Sequence, residues 1–426
     1  MGPDKTSPQA LSYSQLPPLY HLWKWRVLLA FAVFYLFVYM GRFNFWPAAP
    51  LVKEELHLSH IEIGLITALL LWGFGLGDLV HGRLGEAYGL RLWVMLGACL
   101  TTALNWATSF GTSVLTLAIP WGINGFVNAA CWSPAIGLIS QWWPRRDRGK
   151  AMGIAGMASG GAMLVMWLVT GWVVIEFGWR AGFRYPPLII AVLGIIFYLV
   201  TRDRPSDVGL PEYIEEDEVS ARAEAVDKER LRGLGTYKRL LTNPQFQLAC
   251  HVKGLENVVR YGLTTWVPIY YFEKAQLDIA STMLVTVALP VGYATAPVVA
   301  GVISDNLLRS ARRPMVMASC GISALALVFI ALSPATNLYL GASLLLVGGF
   351  AMGLSPMAAL AVDMAGRRMA GTSSGVLDAH GYFYAGLQAV AFSVVLDMTG
   401  SPWPVVFLAM AFTRVLSAVM VAFVRV

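Results

Sequence analysis

Apolar runs, each closed by charged residues or by turn signals, recur along the chain at roughly 27–50, 60–82, 92–110, 114–142, 150–175, 185–201, 245–271, 281–303, 314–333, 337–362, 371–397 and 403–424. Each approaches the roughly 20 apolar residues with which a helix crosses the hydrocarbon core of a bilayer. A membrane barrel would instead show segments of about ten residues with alternating polarity, which are not found here. The pattern predicts an all-α integral membrane protein of twelve transmembrane helices. The polar stretch 202–243, containing "EYIEEDEVSARAEAVDKERLRG", divides the runs six and six. Its mixed charges read as a solvated cytoplasmic linker between an N-terminal half, 21–201, and a C-terminal half, 244–426. Residues 1–20 read as a disordered cytoplasmic tail, without the basic start, apolar core and small-residue cleavage site of a signal peptide.

Composition agrees with a bilayer. Hydrophobic residues make up 57% of the 426, charged residues only 13%, and the mean hydropathy is +0.61. Cys99, Cys131, Cys250 and Cys320 lie in apolar segments without close spacing, which argues against a disulfide or metal framework. A formal charge of +6 does not point to nucleic acid, because the basic residues stand at helix ends rather than on one polar domain. With the amino terminus in the cytoplasm, the loops on that side carry Arg83, Arg91, Arg145, Arg146, Arg148, Lys150, Arg309, Arg312, Arg313, Arg367 and Arg368. The other side carries Lys53, Arg180, Arg184 and Lys274. This positive-inside bias puts both termini in the cytoplasm.

The two halves repeat one another. Arg42 in "GRFNFWP" precedes Gly82 by 40 residues, and Arg260 in "VRYGLTTWVP" precedes Gly301 by 41. Each arginine is followed by an aromatic residue, then by Trp and Pro. Ser133-Pro134 recurs as Ser355-Pro356, and Gly149 as Gly371, both at an offset of 222. Duplication of this kind places a substrate site near the midplane, where the repeats meet. A cation near the bilayer centre costs roughly 2.5–3.5 kcal/mol on insertion scales, so the two intramembrane arginines mark that site. The bland alternative is an arginine snorkelling to the interface.

"GRLGEAYGLR" and "GVISDNLLRSARR" resemble the loop motif between helices 2 and 3, and its repeat between 8 and 9, of the major facilitator superfamily. "GRFNFWPAAPLV", "WWPRRDRGKAMG", "VVRYGLTTWVPIYY" and "AGTSSG" resemble its organophosphate:phosphate antiporters, which include the glycerol phosphate and hexose phosphate carriers. The resemblance runs through nearly all of the chain except tail and linker. It implies two pseudo-symmetric six-helix halves rocking about a central anion site to which Arg42 and Arg260 each bring a guanidinium. Guanidinium forks suit two oxygens of a phosphate.

This sequence also departs from that pattern. Phe43 stands where the glycerol phosphate carriers have a basic residue, Asp78 where they have a lysine, and Met157 where they have a histidine. Lys253, Glu256, Asp378 and His380 add polarity to helices 7 and 11. Such a site favours a monoanion, or a zwitterion whose amine pairs with Asp78, Glu256 or Asp378. Asp78 is either a proton carrier or amine partner, or a structural ion-pair member with Arg83 or Lys24. Asp378 and His380 could exchange protons or simply hold helices together. Glu256 shares a face with Arg260 at i, i+4 and either pairs with it or meets the substrate. Trp132 and Tyr261 are further candidates for the cavity lining.

Gly82, Glu86, Gly89, Arg91, Asp305 and Arg309 form the gating motif, with glycines for close approach and charges for latching the cytoplasmic side. Pro47, Pro134, Pro268, Pro290, Pro297 and Pro356 fall within spans, where kinks serve either alternating access or packing. No Ser-His-Asp arrangement, phosphate-cradling Gly loop or metal-ligand spacing is found. The reading is thus a secondary carrier, not an enzyme, without cofactor or metal. Its substrate is a small organic anion, with inorganic phosphate or protons as counter-substrate. A monomer in the inner or plasma membrane, with no nucleic-acid partner, completes the expectation. The alternatives are a proton-coupled carrier of a carboxylate or zwitterion, and a carrier-like sensor.

Overall fold

The computed structural model describes residues 16–143, 145–211, 234–296, 312–357, 360, 364, 370–398 and 402–424. Asp305, Arg309, Pro297, Arg367 and Arg368, with most of the tail and the middle of the linker, lie outside the described residues. The first half comprises α1 (Pro18–Val38), α2 (Phe45–Glu55), α3 (His60–Tyr88), α4 (Leu90–Ser109), α5 (Val114–Asn128), α6 (Ser133–Trp142), α7 (Arg145–Phe177) and α8 (Trp179–Val200). After α9 (Leu234–Leu241), the second half comprises α10 (Pro244–Lys274), α11 (Ile279–Thr286), α12 (Arg312–Leu332), α13 (Leu338–Gly353), α14 (Ala370–Met398) and α15 (Trp403–Phe423). Among the described residues, nine stretches are long and apolar enough to cross a membrane. Leu90–Ser109, Pro244–Lys274 and Leu338–Gly353 fill the remaining three of the twelve predicted positions. Pro244–Lys274 is less apolar because it carries His251, Lys253, Glu256 and Arg260 on its way through.

Local sequence sets the ends. Ser59 and Glu62 form a capping box, with Ser59 N donating to Glu62 Oε2 at 2.7 Å and Glu62 N to Ser59 Oγ at 3.2 Å. Asn243 Oδ1 accepts from Gln245 N at 3.0 Å and Phe246 N at 3.3 Å, and Pro244 occupies a position where no N–H is needed. Each such cap stabilises its helix by about 1 kcal/mol.

The halves meet along α3 and α14. A Cβ on Gly64 would lie 2.5 Å from the Ala389 carbonyl oxygen and from Ser393 Oγ, so only glycine permits this approach. Further along, Trp72 Nε1 donates to the Phe383 carbonyl at 3.1 Å. At the end of the bundle away from the linker, ion pairs join the halves. Lys53 Nζ lies 2.8 Å from Glu273 Oε1, and the ring nitrogens of His60 lie 3.2 Å from Glu273 Oε2 and 2.6 Å from Asp397 Oδ1. Asp397 also accepts from the backbone N–H groups of His60 and Ile61, at 3.2 and 2.9 Å. The rings of Trp266 and Trp403 flank the histidine. This clamp joins the two halves at that end.

Candidate functional site

Arg42 owes its position to a break in the first span. Proline at 47 lacks an N–H, and its ring would oppose the carbonyl of Phe43 in a continuous helix. The chain therefore leaves α1 at Val38, makes a 3₁₀ turn over Tyr39–Gly41, and resumes helix at Phe45. Carbonyls freed this way need partners, since the bilayer offers none. The Gly41 carbonyl accepts from Asn105 Nδ2 at 2.8 Å and from Asn124 Nδ2 at 2.7 Å. Asn44 Nδ2 then donates to Asn105 Oδ1 at 2.9 Å and to the Gly182 carbonyl at 3.1 Å. A Cβ at Gly41 would collide with Thr101 Cγ2 at 2.5 Å and Ile190 Cδ1 at 2.8 Å. Glycine and asparagine in "GRFN" thus build the seat for the arginine between them.

A second break repeats the device. The 3₁₀ turn Ala129–Cys131 precedes Trp132 and Pro134, and the Trp132 ring packs 4.7 Å from Tyr35 and 5.9 Å from Phe31.

Arg42 is 2% exposed. Its guanidinium carbon lies 4.5 Å from the Tyr39 ring centre, 4.2 Å from Phe43 and 4.0 Å from Phe74. Each such contact, when desolvated, contributes on the order of 2 kcal/mol towards offsetting the loss of water. Among the described residues its Nε has no hydrogen-bond partner. Phe43 stacks on Trp46 at 4.2 Å, and Tyr261 from the second half approaches Phe43 and Trp46 at 6.0 and 5.9 Å. Tyr382 closes this aromatic box, 5.6 Å from Tyr261 and 4.7 Å from Phe74.

Arg260 is mounted differently, on the unbroken helix α10. Its guanidinium carbon lies 4.6 Å from the Tyr293 ring and 5.4 Å from that of Tyr261. It borders two cavities. One, of about 240 Å³, is lined by Met163, Thr264, Leu289, Pro290, Tyr293 and Met352 besides Arg260. The other, of about 370 Å³, is polar, with Lys253, Glu256, Asn257, Ser355 and Arg414 among its walls.

Glu256 shares a helix face with Arg260, yet its carboxylate is engaged elsewhere. Oε1 accepts from Ser355 Oγ at 2.7 Å and lies 3.4 Å from Nη1 of Arg414. Arg414 is the residue that sequence reasoning missed. It is 1% exposed, and it is the sole charge in the apolar run 403–424, the signal by which Arg42 was recognised. Asp78 accepts from Ser133 Oγ at 3.2 Å and is within electrostatic reach of Asp378 and Arg42. Asp378 in turn lies within electrostatic reach of Lys253, Arg260 and Arg42. Lys24 lies 3.4 Å from Asp147. His380 contacts the Val376 carbonyl at 2.8 Å and stands edge-on to His251 at 6.2 Å.

Gly82, Glu86, Gly89 and Arg91, expected to serve gating, occupy the α3–α4 corner. Gly89 takes φ +104° between the two helices, and Gly82 lies beside Ser133, where a Cβ would meet Ser133 Cβ at 3.8 Å. Glu86 is exposed. Arg91 Nη1 donates to the carbonyls of Tyr198 and Thr201, at 3.2 and 2.9 Å, while its backbone N–H donates to Asp203 Oδ1 at 2.9 Å. The arginine therefore ties this corner to the end of α8. No group of three or more His, Cys, Asp or Glu side chains among the described residues is disposed to hold a metal ion.

A family model described as Major Facilitator Superfamily matches residues 31–389. The chain belongs to that superfamily. Its relatives there include a protein named "Probable hexose phosphate transport protein" from Chlamydia pneumoniae, 24% identical over 92% of this chain and 89% of that protein. Another is "Membrane sensor protein UhpC" from Escherichia coli (strain K12), 26% identical over 89% of this chain and 87% of that protein. Among solved structures, a bacterial homolog of the human lysosomal transporter Spinster, inward-facing and occupied, superposes with a TM-score of 0.72 at 15% identity. It covers 94% of this chain and 97% of that one. Superfamily membership makes the chain an integral membrane protein with the twelve-helix, two-half fold.

Proposed function

We propose that this chain is a secondary carrier that exchanges a small organic phosphate for inorganic phosphate by alternating access. The observation that carries the reading is the pair of arginines, Arg42 from the first half and Arg260 from the second, meeting at one aromatic box. Tyr261 touches both sides of that box, ringing Phe43 and Trp46 while lying under Arg260. Two guanidinium forks brought to one aromatic box suit the oxygens of a phosphate dianion. The unpartnered Nε of Arg42 supplies one such donor. The hexose phosphate named for the Chlamydia relative supports an organophosphate as the substrate.

The chemistry is differential binding. An anion bridging both arginines stabilises a closed state that neither empty half reaches alone, and the clamp of Lys53, His60, Glu273 and Asp397 must break when the far end opens. The linker end and both termini face the cytoplasm in this reading, in the inner membrane of a bacterial cell. Gly82, Gly89 and Arg91, with Asp305 and Arg309, latch that side in the opposite state. Lys253 lines the polar cavity beside Arg260, and in this reading Asp378, His380 and Trp132 border the path of the substrate.

A second reading is favoured by the mutual reach of Asp78 and Asp378: two carboxylates beside two arginines can carry a proton with the substrate. Uptake of labelled hexose phosphate into proteoliposomes, with and without internal inorganic phosphate and with and without a proton gradient, tests both. Exchange predicts uptake that requires internal phosphate. Uptake that ignores phosphate and follows the gradient replaces the exchange reading by the proton-coupled one; binding without uptake replaces it by a sensor.

A further inference from the structure

The polar cavity of about 370 Å³ lies wholly in the second half. Lys253, Glu256, Asn257 and Arg260 follow one another at i, i+3, i+4 and i+7, which is one face of α10. Ser355, just beyond α13, and Arg414, from α15, close the opposite wall. Lys253 is two turns below Arg260, about 10 Å along the helix axis, on the side of the linker. The chamber therefore runs from Arg260 away from the aromatic box and away from the clamp.

Its charges are unbalanced. Lys253, Arg260 and Arg414 face a single carboxylate in the lining, Glu256, and Asp378, within electrostatic reach of Lys253 and Arg260 from outside it, offsets one more, leaving one formal positive charge in excess. Glu256 is already engaged by Ser355 and by one nitrogen of Arg414. Arg414 is almost fully buried, yet among the described residues its Nε has no hydrogen-bond partner, and its Nη1 has the Cys320 sulfur at 3.8 Å as its other neighbour. A buried guanidinium with an unused donor, in a polar cavity with excess positive charge, lacks an anion.

We propose that this chamber is a second binding position for a phosphate-sized dianion, held by Lys253 and Arg414 and sharing Arg260 with the central site. The anion enters there from the linker side, and Arg260 passes it up to Arg42. Arg414 orients Glu256 towards Ser355 so that the carboxylate does not repel the incoming charge. The hand-over rests on the exchange reading above, whereas the binding position itself does not.

Equilibrium dialysis of the purified full-length protein against radiolabelled inorganic phosphate tests it, with Arg42→Gln, Arg414→Gln, Lys253→Gln and the Arg42→Gln/Arg414→Gln double variant. The expected result is that Arg42→Gln still binds phosphate, about tenfold or more weakly, and that adding Arg414→Gln removes this remainder. Arg414→Lys and Lys253→Gln serve if Arg414→Gln does not fold: the first retains part of the residual binding, and the second lowers it. Complete loss of binding in Arg42→Gln overturns the chamber and leaves the central site intact. So does residual binding indifferent to both Arg414 and Lys253. Undiminished binding in Arg42→Gln that is abolished by Arg414→Gln supports the chamber and overturns the central site.

Discussion

Arg42 and Arg260 are corresponding residues of a doubled chain, yet the protein holds them in opposite ways. Arg42 is set in a broken helix, with its guanidinium among three rings and its neighbouring carbonyl tied by two asparagines. Arg260 projects from an unbroken helix, half-buried, into open cavity. The difference teaches that duplication carried the charge over but not the mount. The first half offers a preorganised anchor, and the second offers an arm with room to move. On the exchange reading, one rigid and one adaptable contact would keep the anion held while the geometry around it changes.

The largest expected effect breaks the comparison itself. Arg42→Lys should lower the apparent affinity for phosphate more than Arg260→Lys, by about 10- to 100-fold against about tenfold, measured as exchange in proteoliposomes. A point charge on a flexible stem cannot replace a planar group seated among rings, whereas Arg260 already has freedom to adjust. Equal losses would mean that the mounts do not matter.

Next, Asn105→Ala leaves the Gly41 carbonyl one donor short and removes the support of Asn44, at about 1–3 kcal/mol. A drop in thermal stability together with weakened phosphate binding is expected. Thr264→Val on α10 removes only the hydroxyl bond to the Arg260 carbonyl, at 2.5 Å, and should cost less than about 1 kcal/mol. Parity of the two variants would contradict the seat built by the break.

Smaller still is the clamp. Asp397→Asn weakens the pairing of His60 while leaving Lys53 with Glu273, and should shift the balance towards opening at that end by about 1 kcal/mol. A cysteine placed at Lys274→Cys would then react faster with a membrane-impermeant maleimide. Unchanged labelling would mean that the clamp does not hold the halves.

The spans and both arginines were legible because apolar runs and isolated intramembrane charges are local signals. The first helix begins earlier than its run because Lys24 and Arg26 are carried there on aromatic faces, 4.5 Å from the Trp143 ring and 4.6 Å from the Trp23 ring. The breaks at Tyr39–Gly41 and Ala129–Cys131 were hidden, since 27–50 and 114–142 read as continuous; Pro47 and Pro134 announce kinks, but the distortion falls a turn earlier, at the opposed carbonyls. Arg414 was as visible as Arg42 and lacked only a repeat partner to draw notice. The clamp was invisible for another reason: His60 and Asp397 are 337 residues apart, and no period or spacing links them.

The central claim is that two arginines from different halves hold one anion together. Binding of inorganic phosphate to purified wild type, Arg42→Lys, Arg260→Lys and the double variant measures this directly as a double-mutant cycle. Joint holding predicts that the double variant binds about as weakly as Arg42→Lys alone, because the second substitution has little shared contact left to remove. Losses that simply add would show two arginines acting apart, and would contradict the account.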